Sequence, residues 1–106
     1  MDADFTKLQE TKGERVVDCD GNLVGKVAQI AFEPPQVLNP KWWLVVKTSL
    51  FGRRRLVPVE SAIDDGGVVR VPYSKQTVLA APVPLVPTAP ALSECTALEV
   101  HFRRAV

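Results

Sequence analysis

The chain of 106 residues holds one histidine, two cysteines and one methionine. That shortage excludes most site chemistry before any fold is considered. His101 has no cysteine or carboxylate at metal-ligand spacing, and Cys95 lies six residues away on another helical face. One histidine and two isolated cysteines build no zinc site of the usual kinds within one chain. Cys19 sits between Asp18 and Asp20, where negative charge opposes the thiolate a nucleophile needs. No glycine-rich loop of phosphate-cradling pattern occurs. No enzyme activity, metal or cofactor is therefore expected, and His101 reads as a surface residue. Charge of one sign is also lacking: 13 basic residues meet 12 acidic ones, for a net charge of +1. Binding to nucleic acid or an anionic membrane would thus have to come from a local patch. No apolar run approaches the ~20 residues that span a bilayer, so direct membrane insertion is not expected. The acidic start, Met1-Asp2-Ala3-Asp4, has no apolar core. The chain reads as cytoplasmic, with both thiols reduced and no Cys19–Cys95 bridge.

What is present is a series of short β-type runs joined by turns. Residues 1–12 are polar and read as a loose arm or single helical turn, with Phe5 and Leu8 able to pack it down. The β domain follows over residues 13–81. Its first strand begins at Arg15-Val16-Val17. Asp18-Cys19-Asp20-Gly21-Asn22 between apolar runs is a hairpin signal. The spacing is wrong for a calcium loop, since the position of the closing bidentate glutamate holds Gln29. The second strand runs from Leu23 to Phe32. Its apolar residues Val24, Val27 and Ile30 recur every three positions rather than two, and a bulge at Gly25 would restore alternation. Prolines break residues 33–40 into a loop. Trp42 to Thr48, Arg54 to Glu60 and Val68 to Tyr73 read as further strands, with turns at 49–52 and 64–67. Ser74 caps a short helix from Lys75 to Leu79. Residues 82–91 carry four prolines and form an extended, semi-rigid tether. Residues 92–106 form an amphipathic helix with Ser93 as N-cap and Cys95, Leu98 and Phe102 on one face. The predicted core is Val17, Val24, Val27, Ile30, Leu44, Val46, Val57, Val69 and Val71.

These residues carry a resemblance. Val16-Val17-Asp18-Cys19-Asp20-Gly21-Asn22-Leu23-Val24-Gly25-Lys26-Val27 resembles the opening of the PRC-barrel family. Trp43-Leu44-Val45-Val46 and Leu56-Val57-Pro58-Val59 resemble its next two strands. The segments 64–71 and 74–82 resemble its following hairpin and closing segment. Gln29, where relatives often carry an acid, and the proline-rich loop at 33–40 depart from the pattern. The resemblance implies a mostly-β fold: a small, strongly bent antiparallel β-barrel of five or six strands, with a short helix and a C-terminal amphipathic helix. It also implies a non-enzymatic role in assembly or docking. The family includes the cytoplasmic domain of the photosynthetic reaction-centre H subunit and the C-terminal domain of RimM. They supply two alternatives: an RNA- or ribosome-associated maturation factor, and an accessory subunit of a membrane complex. No fixed set of functional residues comes with the resemblance.

Three surfaces stand out as candidates for interaction. Arg53, Arg54 and Arg55, beside Phe51, suit an acidic protein partner or, as the weaker reading, RNA phosphates. The plain alternative is a solvated edge strand, where positive charge blocks edge-to-edge pairing. Of the adjacent Trp42 and Trp43, only one can enter the core, and the other faces outward as cover or anchor. The helix bearing Leu98 and Phe102 either folds back or reaches a second copy across the tether. Exchange of this kind is an inexpensive route to a dimer. The leading expectation is a self-associating protein-interaction module, a homodimer through the C-terminal helix, with its protein partner unidentified.

Overall fold

The structure, a computed structural model, describes residues 5–34, 41–49 and 52–105. The polar arm is an ordered helix, α1 (Phe5–Glu10), which sinks Leu8 completely into the core. Thr11 ends it, and its backbone N–H and its hydroxyl both donate to the Leu8 carbonyl, at 3.0 and 2.6 Å. The Phe5 side chain lies outside the described part.

Six strands follow: β1 (Arg15–Val17), β2 (Leu23–Phe32), β3 (Trp42–Lys47), β4 (Arg54–Pro58), β5 (Ile63–Asp64) and β6 (Val68–Arg70). They form one sheet in the order β4-β3-β2-β1-β6-β5. The expectation of an antiparallel barrel needs two corrections. The β1–β6 ladder is parallel, because the intervening chain acts as one long crossover that brings β6 back alongside β1. The ladder is also open, since no pairing joins β4 to β5 among the described residues. β4 ends on Pro58, which has no N–H to donate, and β5 is only two residues long.

The three-residue apolar spacing of β2 has a structural cause. Pairing with β3 jumps from Val27 to Gln29, leaving Ala28 as an extra residue. That bulge returns Ile30 to the buried side with Val27. On the other side, β1 pairs Val16 with Gly25 and Val17 with Leu23, passing over Val24. The bulge is thus beside Gly25, not at it. The same shift turns Val17 half out and leaves Val16 as the core residue.

Positions 43–46 of β3 are all buried, so this strand is covered on both faces. Leu44 and Val46 occupy one face, and Trp43 and Val45 the other. α2 (Lys75–Ala80) is capped by Ser74, whose Oγ accepts from the Thr77 N–H at 3.1 Å. α3 (Leu92–Arg104) lies back on the same chain, with Cys95, Leu98 and Phe102 buried. Its N-cap is Ala91, not Ser93. Glu94 makes the end: its two carboxylate oxygens accept from the backbone N–H groups of Ala91 and Leu85, both at 2.8 Å. The proline segment is consequently pinned. It turns through an Ala89-to-Val86 hydrogen bond and buries Pro84 and Pro90 rather than running extended.

Candidate functional site

The register of β1 to β4 assembles a feature that no single strand displays. Arg15 pairs with Lys26, Lys26 with Lys47, and Lys47 with Arg54. Directly opposed residues share a face of the sheet, so four cations form one row across four strands. With about 4.8 Å per strand, the row spans roughly 14 Å. Arg15 and Lys26 are exposed, and Lys47 and Arg54 are partly buried. Among the described residues no carboxylate lies within ion-pair distance of any of the four. The row holds four positive charges in a chain whose net charge is +1, so the remaining surface is net acidic.

Two local devices keep the row in line. The bulges at Val24 and Ala28 fall on either side of Lys26 and leave its own pairings unbroken. Gly25 lets the end of β3 close in: a Cβ there would strike the Lys47 carbonyl oxygen and come within 2.9 Å of its carbon. Like charges directly opposed destabilise a sheet. Lys47 has one on each side, so Lys47→Gln is expected to stabilise the fold by about 0.5 kcal/mol at low salt. The gain reads as a higher urea midpoint, and it fades as salt screens the row.

The residues singled out in the sequence are dispersed. Arg54 belongs to the row, and Arg53 is exposed just before it. Arg55 points to the other face, where its Nη1–H donates to the Ala81 carbonyl at the end of α2, 3.4 Å away. The arginine triplet is therefore not one patch. Phe51 lies outside the described residues. Trp43 is fully buried, while Trp42 is partly buried against the core, its ring 4.3 Å from that of Phe32. Leu98 and Phe102, expected to meet a second copy, are buried within their own chain, with Phe102 4.6 Å from Tyr73. The residues missed are Arg15, Lys26 and Lys47. Arg15 and Lys47 sit at strand ends and Lys26 within β2, and only the register reveals them as neighbours.

Other polar groups serve the fold. Asp18, in the hairpin turn, is buried. Its Oδ1 accepts from the N–H groups of Asp20 and Asn22 at 2.9 and 2.8 Å, and its Oδ2 from the N–H of Lys75 at 3.0 Å. One carboxylate thus closes the hairpin and holds the start of α2. Burial pushes Asp18 up, but the N–H groups of Asn22, Lys75 and Asp20 outweigh it and hold the carboxyl below its ordinary 3.8. A lowered folded value means a contribution fully present above 3.8 and lost as pH falls through the lower folded value. Asp18→Asn turns an amide N–H toward that of Lys75. Its melting temperature is expected to fall at neutral pH, and the loss of stability below about pH 4 to be shallower than in the wild type.

His101 is half-buried rather than a free surface residue. Its Nε2–H donates to the Thr77 carbonyl at 2.8 Å, joining α3 to α2. Glu33 is buried beside Trp43 and Glu99, and burial followed by the Glu99 carboxylate raises its carboxyl above the ordinary 4.5. Burial, then Glu33, Glu99 and Glu94, push the Cys95 thiol up to about 11, which keeps it protonated and unreactive. Both cysteines are free. Among the described residues no three His, Cys, Asp or Glu side chains gather to hold a metal, and no helix is long and apolar enough to cross a membrane.

A six-stranded sheet with three helices, carrying one unpaired charged row among the described residues, defines a mostly-β domain. The chain belongs to the PRC-barrel family, whose domain model matches residues 4–78. Among solved structures it is similar to a protein from Pseudomonas aeruginosa described as the 16S ribosomal RNA processing protein RimM. The two are 24% identical with a TM-score of 0.49, over 64% of this chain and 43% of that one. This chain thus spans less than half the length of that protein. No curated protein matches it.

Proposed function

We propose that this PRC-barrel domain is a non-catalytic docking and assembly module that meets an anionic partner through the row Arg15–Lys26–Lys47–Arg54. In this reading the role of the open six-stranded sheet is to hold that row rigid. The supporting observation is the row itself. It sets like charges in direct register without a counter-charge among the described residues, an arrangement that costs stability when nothing binds there. Edge protection is a weaker explanation. β4 is an edge strand, but β2 and β3 are central and need no charge to prevent pairing.

α3 is not the docking surface in this reading, since its apolar face is already covered. A homodimer through α3 would have to exchange that helix between copies and bury the same residues. The test is capture from native cells with tagged wild-type protein and with a Lys26→Glu, Lys47→Glu variant. Both should fold, as circular dichroism will show. The proposal expects a partner that is held at low salt, released by high salt and lost on charge reversal. Equal capture by both proteins would refute it.

A further inference from the structure

We infer that the anionic partner is a nucleic acid, gripped by its phosphate backbone and not read by sequence; this rests on the docking reading above. Three features of the row select a phosphate polymer over an acidic protein or a lipid surface. The first is shape. Four cations in a single line, each about 4.8 Å from the next, match a linear polyanion. A membrane would be better met by a two-dimensional patch with apolar side chains to insert.

The second is the scarcity of anchors among the described residues. Protein interfaces concentrate their energy in a few large apolar or aromatic side chains. Of the exposed large apolar side chains among the described residues, the register sets Leu23, opposite Val17, one same-face step from Arg15 and Lys26, and a lone leucine is a poor anchor. Phosphate binding needs no such anchor, because charge neutralisation and counterion release supply it. Among the described residues no exposed aromatic stands in register beside the row, so these residues offer none of the stacking that sequence-specific readers of single strands use.

The third is the mixture of donors. Arginines stand at both ends of the row and lysines in the middle. The end guanidiniums can fork onto phosphate oxygens, while the ammoniums act as point charges between them. Thr48 and Ser49, directly after Lys47, and the exposed Arg53 before Arg54 add hydroxyl and charge at one end, the donor types that contact phosphate in complexes.

The experiment is fluorescence anisotropy of the full chain with labelled oligo(U) and oligo(A) of about 20 nucleotides, titrated over a range of salt. Four neutralised phosphates predict that log affinity falls against log salt with a slope of about −3 for single strands, equal for both sequences. Lys26→Gln with Lys47→Gln should bring the slope to about −1.4, with melting temperature as the folding control. Absence of wild-type binding at about 50 mM salt, or an unchanged slope in the variant, overturns the inference. So does row-dependent binding to poly-glutamate or to phosphatidylserine vesicles without binding to RNA, although either result leaves the docking reading standing. Native capture that ignores charge reversal removes both.

Discussion

Trp43→Ala is expected to lose about 3–5 kcal/mol of stability, which is most of what a domain of this size has to lose. The indole is fully buried at the middle of the sheet, between β2 and β4, and it borders a cleft with Tyr73 and Phe102 of the covering α3. Removing it leaves a cavity where strand and helix meet, and neither can collapse to fill it without losing its other contacts. Its Nε1 lies near the buried Glu33 carboxyl without a full hydrogen bond, so Trp43→Phe forfeits volume and a weak polar contact and should cost less than Trp43→Ala. Trp42→Ala, at the neighbouring position, is the control. That ring is only partly buried, against Phe32, so its loss should be the smaller of the two alanine effects. Urea unfolding of the three variants orders them directly.

Gly25→Ala is expected to cost about 2–3 kcal/mol and to weaken partner binding as well. The added methyl meets the backbone carbonyl of Lys47, which cannot rotate away as a side chain would. β3 must therefore shift relative to β2 at the point where Lys26 and Lys47 are paired. The usual reason for a glycine, a left-handed backbone, does not apply here, whereas Gly21 in the hairpin turn has φ +83°. A chevron or urea titration gives the stability loss. Capture under the conditions used for charge reversal gives the binding loss. Unchanged stability would mean that β2 and β3 are not held this closely.

The run of strands was legible because each carries its own evidence: β-branched residues, Asp-Gly turns and prolines at the breaks. The β2 bounds and the Ser74 cap follow from residues within a few positions of each other. Pairings between distant segments were not legible. The parallel β1–β6 ladder depends on a crossover of some fifty residues, and nothing in Arg15-Val16-Val17 announces it. The choice between Val16 and Val17 turned on one bulge. The burial of both faces of β3 depended on where α3 settles, and its apolar face alone does not say whether it covers its own sheet or another copy's. The row shows the limit most clearly. Arg53-Arg54-Arg55 is conspicuous in sequence but divided in space, with Arg55 spent on Ala81. Arg15, Lys26 and Lys47 are inconspicuous in sequence and adjacent in space.

The central claim, that the row is the docking surface, is most directly tested by lysine footprinting. The tagged protein, free and in its native captured complex, is treated with an amine-acylating reagent and the modified residues are quantified. The account predicts that Lys26 and Lys47 lose reactivity in the complex, while Lys12 and Lys75, exposed outside the row, keep theirs. Protection of Lys12 or Lys75 with Lys26 and Lys47 still fully reactive would contradict it.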